Sequence, residues 1–132
     1  MDEILINKKT SIERCIKRIK EDFNEDFLTN YTKQDAVILN IERACQAAID
    51  MGNHVLKVNN FGLPQSNRDT FLKLEKNRII SIELSRKMQA MTGFRNLAVH
   101  DYSAVNIDVV IDIVRNRLQD ITDFSNSLIE QF

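Results

Sequence analysis

The residues best suited to chemistry lie in one short segment, residues 93–102, which reads Gly-Phe-Arg-Asn-Leu-Ala-Val-His-Asp-Tyr. It places Arg95, Asn96, His100 and Tyr102 close together in the chain. Arginine is a permanent cation whose planar guanidinium binds phosphate, and histidine exchanges protons near neutral pH. A cation and a proton carrier on one rigid element are the groups that metal-free cleavage of a phosphodiester requires.

The spacing of these residues is informative if the segment ends a helix, as its apolar pattern predicts. Asn96 and His100 are then four residues apart on one face, and Arg95 is turned away by about 100°. The long side chain of Arg95 reaches back toward that face. The apolar residues 97–99 are expected to fix the segment against the core, so that Arg95, Asn96, His100 and Tyr102 converge on one surface cleft.

The elements that must position this segment are predicted from apolar residues recurring at three- and four-residue spacing. They indicate long helices over about residues 2–23, 33–57 (capped by Thr32), 81–100 and from 106 onward, and a short helix over 66–77. Three glycines and one proline in 132 residues are too few for a turn-rich β fold. We therefore predict an all-α, up-and-down bundle of four long helices plus one short helix, in one domain spanning residues 1–132.

The charge of the chain bears on its partners. A formal net charge of −1 provides no general attraction for nucleic acid, so any RNA contact must come from a local patch. Arg14, Lys17 and Arg18 share one face of the first helix and are candidates for such a patch. A solvated charged face is the favoured interpretation of these three residues.

Other residues restrict the location and the chemistry. Cys15 and Cys45 fall on apolar helical faces and are predicted to be reduced core residues. No stretch approaches the roughly 20 apolar residues of a membrane span, and the N-terminus has no leader pattern, so we expect a soluble cytoplasmic protein. With two histidines and no paired ligands, a structural metal site is not expected. A cap or surface role is favoured for His54.

The string Arg-Asn-x-x-x-His-x-Tyr resembles the signature of the HEPN superfamily, and the longer segment resembles its HepT-like branch, the toxin half of HEPN/MNT toxin–antitoxin pairs. The resemblance implies a cofactor-free, metal-independent endoribonuclease whose active site forms at the cleft of a homodimer. It implies that Arg95 and His100 are catalytic and that Asn96 supports them. Asp101 is a further supporting candidate. Tyr102 matches the tyrosine to which an MNT-type nucleotidyltransferase antitoxin transfers AMP.

The implied reaction is attack of a ribose 2′-hydroxyl on the adjacent phosphorus of RNA, with tRNA among the candidate substrates. His100 would transfer protons and Arg95 would stabilise the developing charge. Two alternatives stay open. One is a catalytically silent HEPN module that binds a nucleotide or a nucleotidyltransferase, and the other is a helical scaffold. Replacing His100 by alanine separates them, because only the enzyme would lose RNA cleavage while keeping its fold.

Overall fold

A computed structural model describes residues 2–132, which fold into helices and their connections. The α-helices are α1 (Glu3–Asp22), α2 (Tyr31–Val58), α3 (Asn67–Lys76), α4 (Ile82–His100), α5 (Ile107–Asp112) and α6 (Leu118–Gln131). Short 3-10 turns occupy Phe27–Thr29 and Tyr102–Ala104, and a π-helical turn, Ile113–Arg117, joins α5 to α6. Because residues 2–132 contain no strand, the predicted all-α class is confirmed. No helix in this part of the chain combines the length and apolarity needed to cross a membrane.

Polar side chains fix where the helices begin. The helix starts expected near residues 66, 81 and 106 are confirmed, and a side chain caps each one: Ser66, Ser81 and Asn106 accept backbone N–H bonds from Asp69 (3.0 Å), Leu84 (3.0 Å) and Asp108 (2.8 Å). The predicted cap of α2, Thr32, was wrong. Asn30 has the extended backbone of a cap and accepts the Lys33 N–H at 3.1 Å, whereas Thr32 already lies in the first helical turn.

Ion pairs join α1 and α2 in antiparallel orientation. Lys8 pairs with Asp50 at 3.1 Å, and Asp2 pairs with His54 at 2.6 Å. Asp2 also caps α1 through the N–H groups of its first turn. The hydrogen bond with His54 is the main cause that holds the pKa of Asp2 below its usual value. The prediction of a cap or surface role for His54 was wrong, because its side chain is largely buried and joins α2 to the start of α1.

The core lies between α1, α2, α3, α4 and α6. Phe71 of α3 meets Phe124 of α6 edge to face, with ring centroids 5.2 Å apart. Gly52 of α2 lies beneath them, where an added Cβ would approach the Thr70 Cγ2 to 2.7 Å. This glycine therefore allows α3 to pack closely on α2. The two cysteines are buried free thiols, as the sequence predicted.

The C-terminal helix departs from prediction because the π-helical turn interrupts it. Val110 before the turn and Ile113 at its first residue face the core, and Leu118 and Ile121 face it afterwards. An uninterrupted helix would bring Arg117, four residues after Ile113, toward the core. The extra residue of the π turn brings Leu118 there instead. Arg117 then pairs with Asp112 through a 2.8 Å contact.

Candidate active site

The signature segment forms the end of α4 and the 3-10 turn that follows it. Helix α4 ends at His100, where the Asp101 N–H donates to the Leu97 carbonyl at 2.8 Å. Phe94 and Ala98, four residues apart, face the core and are buried. They hold the last turns of α4 against the bundle; between them, Asn96 is exposed and Arg95 is partly buried.

The expectation that residues 97–99 all pack on the core was wrong for two of them. Only Ala98 is buried, whereas Leu97 and Val99 are 37% and 41% exposed. A helix turns about 100° per residue, so three consecutive side chains cannot face one side. The exposed Leu97 gives the site an apolar neighbour on the outer surface of α4.

Arg95 and Asn96 are in direct contact. The Arg95 Nη1 donates to the Asn96 Oδ1 at 3.1 Å, and Asn67 of α3 donates to the same oxygen at 3.4 Å. The amide thus orients the guanidinium and keeps its own Nδ2 free to donate. The Arg95 Nε is buried and has no hydrogen-bond acceptor within residues 2–132. A buried N–H of a cation without a partner is costly, and an incoming anion must be bound by the terminal N–H groups of the guanidinium, one of which already donates to Asn96.

Arg95 also acts on the core beneath it. Burial raises the pKa of the Cys45 thiol, on α2, to about 12, and the positive charge of Arg95 opposes this shift. Because its Nε is buried, the side chain of Arg95 lies partly against the bundle rather than fully extended in solvent. Its position limits the number of conformations it can adopt, which suits a residue that must meet a defined phosphate oxygen.

His100 is the last residue of α4 and is exposed. Its imidazole makes no hydrogen bond to any residue in 2–132, so both ring nitrogens are open to a ligand or a second chain. Asp101 caps the helix, and its carboxylate accepts from the Ser103 hydroxyl at 3.1 Å. Asp101 thus shapes the turn that leads to Tyr102.

Tyr102 opens the 3-10 turn and is held by a residue that sequence reasoning missed. Its hydroxyl donates to the carboxylate of Asp35, in the second turn of α2, and its side chain is 46% exposed. Burial of part of the ring and the adjacent Asp35 raise the pKa of Tyr102 to about 12. No sequence pattern links residues 67 positions apart, so only the fold reveals this pair.

The candidate residues form two contact groups and a separate imidazole. Arg95 pairs with Asn96, Tyr102 pairs with Asp35, and no hydrogen bond among the described residues joins either pair to His100. The predicted convergence on one cleft is therefore only partial in the single chain. Residues 2–132 also contain no cluster of three or more His, Cys, Asp or Glu side chains that could hold a metal ion.

Comparisons with known proteins identify relatives of this chain. A family model described as Ribonuclease HepT-like matches residues 9–128. The mRNA nuclease HepT of Shewanella oneidensis is 44% identical over 126 residues, covering 94% of this chain and 95% of the relative. The tRNA nuclease HepT of Aphanizomenon flos-aquae is 27% identical over 104 residues, covering 79% of this chain and 71% of the relative.

A solved structure has the same fold along its full length. It is a tri-AMPylated Shewanella oneidensis HEPN toxin in complex with an MNT antitoxin, with a TM-score of 0.94, 42% identity and complete coverage of both chains. The fold and the matches together define the class of this protein as a helical HEPN-type ribonuclease. The chain belongs to the Ribonuclease HepT-like family.

Proposed function

We propose that this protein is a metal-independent endoribonuclease toxin, with Arg95 and His100 as its catalytic residues. The observation that carries the proposal is that Arg95, held by Asn96, and His100 lie within the last two turns of the same helix. Its family and the relatives named as nucleases for mRNA and tRNA support RNA as the substrate. A cytoplasmic location suits that substrate and the free thiols of Cys15 and Cys45.

The reaction follows from the groups present. The ribose 2′-oxygen attacks the adjacent phosphorus, the 5′-oxygen leaves, and a 2′,3′-cyclic phosphate remains. His100 accepts the 2′-proton or supplies the leaving-group proton, since an imidazole titrates near neutral pH. Arg95 donates to the phosphate oxygens as their charge grows. Asn96 keeps Arg95 in place through its Oδ1 and offers its Nδ2 to the same phosphate.

A homodimer supplies the second proton-transfer group. The outer face of α4 carries Ala90, Gly93 and Leu97 at helical spacing, and all three are exposed. An added Cβ at Gly93 would meet nothing within 4 Å in the single chain, so the chain's own packing does not require glycine there. Glycine inside a helix costs about 1 kcal/mol relative to alanine, and close approach of a second copy explains why it is present. Two copies packed on this face bring two His100 imidazoles together, one as base and one as acid.

Tyr102 is the proposed site of control by an MNT-type nucleotidyltransferase antitoxin. The solved HEPN toxin of Shewanella oneidensis is tri-AMPylated and bound to such an antitoxin, which supports the same partner here. Transfer joins the Tyr102 oxygen to the α-phosphorus of ATP and releases pyrophosphate, and Asp35 accepts the phenolic proton. The attached phosphate then lies beside the Asp35 carboxylate, and like charges repel. The added AMP occupies the surface that an RNA phosphate must approach.

The test is co-expression with the cognate nucleotidyltransferase, followed by intact-mass measurement and an RNA cleavage assay. We expect wild-type protein to gain the mass of one or more AMP groups and to lose cleavage activity. Tyr102→Phe should gain none and stay active in the presence of the antitoxin and ATP. Full inhibition of Tyr102→Phe without modification would refute control through this tyrosine.

The alternative is a catalytically silent HEPN module that binds a nucleotide or the nucleotidyltransferase. The open imidazole favours it, since no second residue within residues 2–132 orients His100. The two functions differ in RNA cleavage. A silent module cleaves RNA neither as wild type nor as His100→Ala, and it keeps its partner binding in the variant.

A further inference from the structure

A second basic feature lies outside the signature, in a groove between α1 and α2. Its volume is about 350 Å³. Four cations line it, Lys8, Arg14, Arg18 and Arg43, together with one carboxylate, Asp50. Because Asp50 is already paired with Lys8, it does not neutralise the arginines.

The three arginines line the same groove, and none of them has a bonding partner in the part of the chain that the structure describes. All are exposed, and none makes a hydrogen bond or an ion pair with another residue in 2–132. Burial raises the pKa of Cys15 at the base of the groove, and the positive charges of Arg43, Arg18 and Arg14 each lower it. Three guanidiniums around one groove form a local excess of positive charge that an anion can neutralise. Arg43 lies on α2, so its place beside Arg14 and Arg18 could not be recognised from the sequence of α1 alone.

The groove is directed toward the candidate active site. Because α1 and α2 are antiparallel, Arg18 and Arg43 lie at the end of the groove nearest the start of α2. Asp35, Leu39 and Arg43 follow at four-residue spacing on α2 and are all exposed. Eight residues of helix span about 12 Å, the length of a few nucleotides. An extended strand that passes Tyr102 can therefore reach the arginines.

We propose that this groove binds the phosphates of the RNA strand outside the cleavage site, a proposal that rests on the ribonuclease function above. Guanidiniums bind phosphate in preference to other groups on RNA, and a chain of net charge −1 needs such a local cluster to retain a polyanion. RNA is favoured over an acidic protein surface because the groove continues the path that the substrate takes past Tyr102.

The test compares Arg14→Gln/Arg18→Gln/Arg43→Gln with a control of equal charge, Lys20→Gln/Lys57→Gln/Lys76→Gln, whose lysines are exposed and outside the groove. Both sets are made in the His100→Ala background, and binding of a labelled single-stranded RNA is measured over a range of salt concentrations. For a single strand, each lost phosphate contact reduces the slope of the log binding constant against log salt concentration by about 0.7. The arginine variant should therefore lose about 2 units of this slope, and the control much less. Arg43→Gln alone should lose about 0.7 and serves if the triple variant fails to fold.

Activity separates the two proposals. With His100 present, the arginine variant should cleave a dinucleotide at the wild-type rate and show a raised KM for long RNA. If wild-type protein cleaves RNA and the arginine variant behaves like its lysine control, the groove proposal fails and the ribonuclease remains. Loss of antitoxin binding with unchanged RNA binding would make the groove a protein-docking surface and overturn the proposal. Wild-type protein that neither binds nor cleaves RNA would remove both.

Discussion

The hydroxyl of Tyr102 donates a hydrogen bond to the carboxylate of Asp35, which joins the turn after α4 to the start of α2. This contact sets the direction of the phenolic oxygen and leaves nearly half of the side chain exposed. Asp35 keeps the phenol protonated by raising its pKa and, as proposed above, accepts its proton when AMP is transferred. One contact thus orients the tyrosine that we propose is modified and places a carboxylate beside its oxygen.

The first prediction concerns the ionisation of Tyr102. Asp35→Asn should lower the pKa of Tyr102 from about 12 part of the way to its ordinary value of 10.0. The pKa should stay above that value because burial, the larger cause of the shift, remains. Ultraviolet titration of tyrosinate in a Tyr31→Phe background measures this pKa directly. A raised pKa in the folded state also means that the contribution of Tyr102 to stability is complete below pH 10 and is lost as the pH rises through about 12. An unchanged titration in Asp35→Asn would show that burial alone sets the shift.

The second prediction concerns the dimer face. Leu97→Asp should convert the dimer to a monomer, since it places a charge in the apolar centre of the proposed interface. Sedimentation velocity measures the change, and RNA cleavage should fall with it. Val109→Asp is the matched control, because Val109 is also a partly exposed apolar residue (46% exposed) but lies on α5. Equal effects of the two variants would argue against α4 as the interface.

The third prediction compares two glycines. Gly52→Ala should destabilise the protein by about 1–3 kcal/mol, because its Cβ would meet the Thr70 Cγ2 at 2.7 Å and the Leu74 Cδ1 at 3.1 Å. Gly93→Ala has open space in the single chain and should not lower the stability of the monomer. Urea unfolding of both variants in a monomeric Leu97→Asp background gives the two values. A Gly52→Ala midpoint equal to that of the parent would contradict the close packing of α3 on α2.

The fourth prediction concerns the ion pair of Asp2 and His54. The pKa of Asp2 is lowered in the folded state, so the stability it contributes is present above about pH 4 and is lost as the pH falls through its folded pKa. Asp2→Asn keeps an N-cap side chain but removes this charge, whereas Asp2→Ala removes both. Melting curves between pH 2 and 7 should show the Asn variant less stable than wild type near neutrality and equal to it in acid. A constant difference at every pH would exclude the ion pair as its source.

Local patterns predicted most of the fold and the chemically active segment. Helix starts are predictable at Ser66, Ser81 and Asn106, because a capping side chain bonds a backbone N–H only two or three residues further along the chain. The prediction of Thr32 as the cap of α2 failed because Asn30, two residues earlier, is also a good capping residue and has the required extended backbone. The π turn was not predictable, because it arises from the need of Leu118 rather than Arg117 to face the core.

The missed features of the site are contacts between distant parts of the chain. Asp35 reaches Tyr102, and Arg43 joins Arg14 and Arg18, only because α2 packs between α1 and α4. The arginine–asparagine contact was within reach of the sequence, because the two residues are adjacent. A partner for His100 from a second copy of the chain was implied only by the family resemblance, and it stays a prediction.

The most direct test of the central claim is RNA cleavage in EDTA by unmodified wild-type, Arg95→Ala and His100→Ala proteins, with analysis of the product ends. We expect wild-type protein to cleave RNA and to leave 2′,3′-cyclic phosphates. Each variant should fold and dimerise but cleave more slowly by a factor of about 100 or more. Failure of the folded wild-type dimer to cleave RNA, or cleavage by His100→Ala at the wild-type rate, would contradict the central claim.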